Sequence, residues 1–552
     1  MSARTYPRFE PTFADRSSWT LPWILRERAR SHGGKTYLEV PDDGVSMTFA
    51  ETLHAAEEIA AGLLGDGGKP GDRFLIMCPN RAEVILAWFG SALAGMAEVP
   101  INTAYTGSFL EHQVGTTAPR AALVHASLAE RFATGAEAFA GVERFYLVGD
   151  DEAEVAAAQE QLAAAGFAAS PFAELRAEPL AEPPEVSARD LAAIFFTSGT
   201  TGLSKGVAMS HSQMTFFADE GVALTRLSED DAYMSVGPLF HGNAQFLAAY
   251  PALIVGARFV LRERYSASRW IDQIRECGAT VTNFVGVMMD WTWKQPPRPD
   301  DADNRLRCIW AVPTATSIAD GFKRRFGIEA FVENFGLTET CMPIMTPYGE
   351  ERPPGAAGLL VDEYFEVRLV DPETDEEVAA GEVGELTVRA KLPWTMCSGY
   401  YGMAEKTAEA QRNLWFHTGD GLRRDADGWY YFVDRLKDAI RRRGENISSY
   451  EVEQAVLGHA EVAECAAVAA PSGAEAGEDE VAVFVVLEPG SGLDLAAVRA
   501  WCEQRLPRFA MPEYIAIVEA LPTTPSGKIR KVELREQAAE MASADMSRAG
   551  TR

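Results

Sequence analysis

Short apolar runs alternate with helix-like stretches through the first two hundred residues, and this alternation restricts the fold more than any single motif does. "RFLIMC" (73–78) precedes "NRAEVILAWFGSALAG", whose apolar residues recur at helical spacing, and "AALVH" (121–125) and "RFYLVG" (144–149) follow with helical material between them. Strand and helix in repetition are the pattern of βαβ units, which predicts a parallel sheet covered by helices. Farther on, "EYFEVRLVDPETDEEVAAGEVGELTVRA" (363–390) alternates with period two around turn residues. It predicts antiparallel strands, which a purely doubly wound protein does not need. At 552 residues the chain exceeds one ordinary domain. Around "FVDRLKDAI" (432–440) one block ends and another begins, and the stretch from about 438 to 535 has its own helices ("SSYEVEQAVLG", "DLAAVRAWCEQRL") and strands ("CAAVAA", "EVAVFVVLE", "YIAIV").

Composition excludes several classes. A net charge of −29 repels phosphate backbones, so a nucleic-acid partner is not expected, and the charge reads as a solvated acidic surface. The seven cysteines are scattered with no C-x-x-C pair, which predicts buried thiols in a reducing compartment, with neither a zinc site nor a disulfide framework. "MSARTYPRFEPTFADRSSW" has no apolar core of a secretory signal, and "AQFLAAYPALIVGARFVL" is interrupted by Pro251, Gly256 and Arg258, so no membrane span is expected and the chain reads as cytoplasmic. The stretch Asp150–Val186 reads as surface helix plus extended linker without a site, and "AAEMASADMSRAGTR" (538–552) as a frayed tail.

"TSGTTGLSKG" (197–206) combines glycines, five hydroxyl side chains and one lysine directly after the apolar run "LAAIFF". Glycines let backbone amides turn inward to form an anion-binding concavity, the hydroxyls add neutral donors, and Lys205 supplies a point charge. The loop suits polyphosphate. It is not a Walker A motif, because Ser204 precedes the lysine and Gly206 follows it.

This loop resembles the T-S-G-T-T-G-x-P-K-G signature of the adenylate-forming superfamily, with Leu203-Ser204 where x-Pro is usual. Four more blocks follow in that family's order: "NFGLTET" (334–340), "WFHTGD" (415–420), "VDRLKDAIRRRGENISSYEVE" (433–453) and "PTTPSGKIRK" (522–531). The resemblance spans nearly the whole chain. It implies an α/β fold: a large N-terminal part, 1–434, of two helix-flanked β-sheets plus a distorted β-barrel, a hinge at 435–437, and a small mobile C-terminal α+β domain, 438–552. "FHGNAQ", "QPPRPDDADNRLR" and "RRRGENISSYEVE" look most like the carnitine/crotonobetaine-CoA ligase subgroup.

The implied chemistry has two halves. A carboxylate attacks the α-phosphorus of ATP to give acyl-AMP and pyrophosphate, and the thiol of CoA then displaces AMP. By resemblance, Thr197, Ser198, Gly199, Thr200, Thr201, Gly202 and Lys205 meet the β- and γ-phosphates, Thr338 the α-phosphate, and Glu339 holds Mg²⁺. Asp420 takes both ribose hydroxyls with support from Arg435. Adenine lies near Phe335 and Phe432 in the block Asn334-Phe335-Gly336, against a wall Pro313–Thr316 that includes Thr314 and Ala315. That wall, "AVPTATS", departs from the family's glycine-rich turn. Lys528 bridges carboxylate and α-phosphate, while Arg530 and Lys531 read as surface charge. Rotation about Lys437 then brings Arg443, Gly444 and Glu445 to the adenylate for CoA, with Gly444 leaving room for pantetheine. Arg441–Arg443 fit either CoA phosphates or a cationic surface strand.

The acyl pocket is expected from Phe240, His241, Asn243, Phe284, Gly286, Met288 and Met342, mostly apolar, which favours a neutral aliphatic or aromatic acid. His241 gates this pocket or orients the carboxylate, unless it is a packed core histidine. His211 and His417 are assigned to structure. Trp291 and Trp293 fit a buried helix face better than a cage for a quaternary ammonium. Two other readings use the same residues: an enzyme that stops at acyl-AMP or loads a carrier-protein thiol, and a non-catalytic acyl- or nucleotide-binding member. A homodimer stays open.

Overall fold

In the computed structural model, residues 4–549 are described except 198–203, 286–287, 436–439, 443–444, 448, 473–478, 507 and 524–528. Two seven-stranded sheets carry the parallel pattern. The first runs Ala168–Pro171, Arg144–Val148, Ala121–His125, Arg73–Met77, Ala97–Pro100, Leu191–Thr197 and Lys205–Ser210, parallel except for its last pair. The second runs Ala330–Val332, Cys308–Val312, Val281–Val285, Ala232–Ser235, Arg258–Leu261, Thr36–Val40 and Val45–Thr48, again antiparallel only at its final edge.

The helix Ala82–Leu93 touches strands of both sheets and every one of its residues but Glu83 is buried. This accounts for "AEVILAWFGSAL" having almost no polar face: a helix between two sheets has no side left for water. The helix Phe49–Gly65 packs on it and starts at a capping box in which Thr48 and Glu51 satisfy each other's backbone amides.

A third seven-stranded sheet is antiparallel throughout and stands where the distorted barrel was expected, in the order Asn334–Leu337, Cys341–Met345, Gly358–Leu360, Trp429–Arg435, Phe416–Arg424, Gly384–Ala390, Phe365–Val370. The period-two segment forms its Phe365–Val370/Gly384–Ala390 hairpin. After it come the hairpin Ile440–Arg442/Glu445–Ile447 and a small sheet of Val462–Pro471, Asp479–Leu487 and Tyr514–Ile517, covered by the helices Ser449–Leu457, Leu495–Glu503 and Lys531–Ala549 with apolar clusters of their own.

Three local expectations need correction. The tail from residue 538 is helical as far as Ala549 rather than frayed. Lys531 is not surface charge: its Nζ lies 2.9 Å from Glu453 Oε1 and also donates to Ser449 Oγ at 2.5 Å, bracing two helices. The stretch 150–186 adds an edge strand, Ala168–Pro171, to the helix Glu152–Ala164. All seven cysteines are buried and free, and among the described residues no helix is long and apolar enough to cross a membrane.

His211 opens the helix His211–Thr225 and is 2 % exposed. Burial holds its imidazole down to about 4. A base whose folded-state pKa is depressed stabilises the fold fully above its unfolded value and loses that contribution as pH falls toward the folded value. Urea titrations of the wild type should therefore lose on the order of 2 kcal/mol more than those of His211→Gln between about pH 7.5 and about pH 5. Equal slopes would show that His211 is not held neutral.

Candidate active site

Thr197 and Lys205 face each other across the hairpin that ends the first sheet, with Thr197 Oγ1 3.4 Å from the Lys205 carbonyl. The intervening residues, with the expected Ser198, Gly199, Thr200, Thr201 and Gly202, lie outside the described residues. The hairpin is anchored by the helix Gly107–Thr117. His112 Nε2 donates to the Ser204 carbonyl at 2.8 Å, and Gln113 Nε2 to Ser204 Oγ at 3.1 Å.

The segment 398–401 pairs with the outer edge of Lys205–Ser210 through Ser398 N to Ala208 O, Ala208 N to Gly399 O and Tyr401 N to Gly206 O, all between 2.7 and 2.9 Å. This pairing fixes Tyr400 over Lys205. The ammonium sits 4.3 Å from the Tyr400 ring centroid and donates to its hydroxyl at 3.1 Å. That hydroxyl in turn donates to Glu339 Oε1 at 2.9 Å. Burial, and then the negative charge of Glu339, push the Tyr400 hydroxyl well above the usual tyrosine range, so it stays a donor. A continuous chain Lys205–Tyr400–Glu339 therefore joins the loop to the acidic block. Sequence reasoning missed Tyr400; "SGYYG", two glycines flanking paired tyrosines, was the available signal.

Glu339 is 6 % exposed and sits on the tight turn between Asn334–Leu337 and Cys341–Met345. The turn closes through Thr340 N to Leu337 O and Leu337 N to Thr340 Oγ1, at 3.1 and 3.2 Å. Gln213 Nε2 holds the Thr338 carbonyl at 2.8 Å, and Cys397 N holds that of Glu339 at 2.9 Å. Gly336 has to be glycine, because a Cβ there would stand 2.0 Å from the Cys341 carbonyl oxygen. Behind the turn Glu220, whose carboxyl is raised far above its usual range by burial, accepts from Met342 N at 3.0 Å.

Asp420 is 3 % exposed and pairs in register with Arg435 across adjacent strands. Its own amide donates to Thr418 Oγ1 at 3.1 Å. The preceding residues are fixed by Glu385, which accepts from Gly419 N at 2.9 Å and contacts His417 Nδ1 at 2.8 Å. His417 and His211 are both buried, His417 against Glu385.

Phe335 and Phe432 come together, with ring centroids 6.2 Å apart and planes 22° from parallel, and Tyr450 meets Phe432 edge-on at 6.4 Å. Asn334 Oδ1 accepts from Trp310 Nε1 at 2.9 Å. The non-glycine wall is held by a residue the sequence reading passed over: Glu333 Oε2 accepts from Thr314 N at 3.0 Å and from Arg352 at 2.7 Å, with Thr314 buried and Ala315 half-buried beside it. A carboxylate thus fixes this glycine-free segment.

In the acyl region, Phe240 and His241 end a loop and Asn243 stands in the helical turn Gly242–Ala244 that follows; all three are half-buried, so His241 is not a core histidine. Asn80 pins this loop by accepting from Leu239 N and donating to Gly237 O, both at 2.8 Å. Asn283 donates to Asn243. Phe284, next along the strand, faces the other way into rings of Trp270, Phe322 and Tyr265, and Met342 is wholly inside the main core. Met288 is half-buried, with its carbonyl 2.8 Å from the Tyr265 hydroxyl. Trp291 is 51 % exposed and stacks on Tyr265, which corrects the buried-face reading for it, whereas Trp293 packs on Phe322 and Arg325.

Gly286, Lys437, Arg443, Gly444 and Lys528 lie outside the described residues, and Arg435 and Glu445 are described by backbone alone. A surface cleft of about 670 Å³ at the opposite end of the strand Leu191–Thr197, lined by Arg16, Arg189 and Trp394 among others, contains none of the expected site residues.

The family described as AMP-binding enzyme matches residues 25–401, and its C-terminal domain matches 451–528. The chain belongs to the AMP-binding enzyme family. Among curated relatives it is similar to the crotonobetaine/carnitine–CoA ligase of Salmonella typhi, 32 % identical over 480 residues that cover 85 % of this chain and 89 % of that protein. Among solved structures it is similar to the anthranilate CoA ligase AuaEII in complex with anthranoyl-AMP, with a TM-score of 0.82, 25 % identity, and 95 % and 98 % of the two chains covered. ATP-bound MatB from Rhodopseudomonas palustris superposes with a TM-score of 0.79 at 26 % identity, covering 95 % and 99 %.

Proposed function

We propose that the protein is an ATP-dependent carboxylate–CoA ligase that forms acyl-AMP with release of pyrophosphate and then passes the acyl group to CoA with release of AMP. The observation that carries this reading is the Lys205–Tyr400–Glu339 chain, which links the lysine that closes the hydroxyl-rich stretch to a buried carboxylate. Carboxylate and triphosphate are both anionic, so the first half-reaction needs charge offset and reactants aligned more than it needs a proton moved.

In this reading Thr197–Lys205 hold the β- and γ-phosphates, Thr338 the α-phosphate, Asp420 with Arg435 the ribose, and Phe335 with Phe432 the adenine. Glu339 fits Mg²⁺: it is a hard oxygen donor, already buried, and its turn is braced by Gln213 and Cys397 before anything binds. When bound there, the ion would offset charge on the phosphates. Lys528 meets the charge that builds at the α-phosphorus, and after rotation about Lys437 the stretch Arg443–Glu445 faces CoA. The half-buried segment Phe240–Asn243 carries no Asp, Glu, Lys or Arg, which favours a neutral aliphatic or aromatic acid. Free, buried cysteines support a reducing, cytoplasmic setting.

A panel of carboxylic acids screened by AMP release is expected to show turnover that depends on acid, ATP and free CoA together, with the thioester detected by mass. Transfer only to a holo-carrier protein would replace CoA by a carrier thiol. No carboxylate-dependent exchange of pyrophosphate into ATP with any acid would leave a non-catalytic binding protein.

A further inference from the structure

In the first sheet the strand Arg73–Met77 stands between Ala97–Pro100, the next in the chain, and Ala121–His125, the one after. The chain therefore reverses its direction of growth at this point, and open α/β sheets bind ligands in the crevice outside the carboxyl ends of strands at such a reversal. At that end, His125 Nε2 and one carboxylate oxygen each from Asp150 and Glu154 lie within 4.8 Å of one another.

His125 is 5 % exposed. Its Nδ1 lies 2.7 Å from Ser127 Oγ and 3.3 Å from Ser127 N, which donates to it; a ligand bond at Nε2 requires the ring proton to sit on Nδ1 instead, donated to the Ser127 hydroxyl. Its Nε2 has no hydrogen bond among the described residues and is turned to Asp150 Oδ1, 3.6 Å away. That separation is long for a hydrogen bond, yet close to the roughly 3.4 Å between neighbouring ligands that metal–ligand bonds of 2.0–2.2 Å give in a tetrahedron. Glu154 is folded back over the strand end, with Oε2 accepting from Asp150 N at 2.9 Å. It can lie there because residue 149 is glycine; a Cβ would stand 2.7 Å from that oxygen.

The nearby cation, Arg81, is committed elsewhere. Its Nε is 3.0 Å from Glu83, its Nη2 donates to the Gly149 carbonyl, and only Nη1 approaches Asp150, at 3.6 Å. Two carboxylates and one imidazole thus face one another, with Asp150 Oδ1 3.6 Å from both His125 Nε2 and Arg81 Nη1. An imidazole oriented from its far nitrogen, beside two carboxylate oxygens, suits a borderline divalent ion better than Mg²⁺ or Ca²⁺, which prefer all-oxygen shells.

We propose that His125, Asp150 and Glu154 form a binding site for a divalent transition-metal ion of the Zn²⁺ type, with solvent completing the shell on the exposed Asp150 side. The ion would tie the turn after Arg144–Val148 to the end of Ala121–His125, apart from the nucleotide chemistry. The full-length protein, stripped with chelator and kept free of nucleotide, is titrated with Zn²⁺ by calorimetry and with Co²⁺ by visible absorption. One equivalent is expected to bind, with Co²⁺ bands of a four-coordinate site. His125→Ala and Glu154→Gln, each checked for folding by circular dichroism, are expected to weaken Zn²⁺ binding by more than about tenfold, and Ser127→Ala by about tenfold. His54→Ala, on a distant exposed histidine, should change nothing. Absence of saturable Zn²⁺ binding in the wild type, or equal binding in His125→Ala and Glu154→Gln, would overturn the assignment.

Discussion

Replacing Glu339 by glutamine is expected to slow carboxylate-dependent exchange of pyrophosphate into ATP by about two to three orders of magnitude, the effect of losing one preorganised charge partner in a water-poor site. Glutamine keeps the size and one acceptor oxygen, so the turn Leu337–Cys341 should survive; its internal bonds run through Thr340, Gln213 and Cys397 rather than through the carboxylate. What is lost is the charge. Tyr400→Phe makes a graded comparison, because the ring stays in place over Lys205 while the hydroxyl linking Lys205 to Glu339 disappears. A loss of about tenfold is expected there, the scale of one charge-assisted hydrogen bond. The two variants should also differ in kind: Glu339→Gln raises the Mg²⁺ concentration needed for half-maximal exchange, whereas Tyr400→Phe leaves it nearly unchanged. Exchange at wild-type rates in Glu339→Gln, with fold retained by circular dichroism, would remove Glu339 from the reaction.

Much of this architecture is legible in the chain because alternation and period are local properties. "RFLIMC", "AALVH" and "RFYLVG" become strands of the first sheet, and the period-two stretch becomes a hairpin of the third. Contacts between residues far apart in sequence are a different matter. Tyr400 meets Lys205 across 195 positions because a short segment adds itself to a sheet edge, and no periodicity announces that pairing. Glu333 braces Thr314 from 19 residues away, in a glycine-free segment. Lys531 failed as surface charge for the same reason, since its partner Glu453 lies on another helix. Phe284 shows the remaining gap: it was expected in the acyl pocket, but one-residue alternation along a strand sends its neighbour Asn283 toward Asn243 instead.

Lys528→Ala and Gly444→Trp are expected to split the two half-reactions. In the first, charge accumulates on the α-phosphate as the carboxylate attacks, and a lysine placed there stabilises the transition state more than the ground state. Its removal should cost about two to three orders of magnitude in pyrophosphate exchange. Thioester formation from supplied acyl-AMP breaks the acyl carbon–oxygen bond rather than a bond at phosphorus: the thiol loses its proton, AMP leaves as the phosphate with one more negative charge, and the α-phosphorus never becomes pentavalent, so this half-reaction should proceed largely intact. Gly444→Trp tests the converse. A pantetheine arm passing beside residue 444 needs the space that a missing Cβ leaves, and an indole would fill it. Exchange, which needs no thiol, should continue, while CoA-dependent AMP release falls by about two orders of magnitude or more. The pair is informative because, in the proposed cycle, the same small domain serves both steps, so a general disturbance of that domain would slow both reactions in both variants. Opposite selectivities are the outcome expected if Lys528 serves adenylation and Gly444 serves thioester formation. Equal loss of both half-reactions in Lys528→Ala, or unchanged CoA use in Gly444→Trp, would contradict that division.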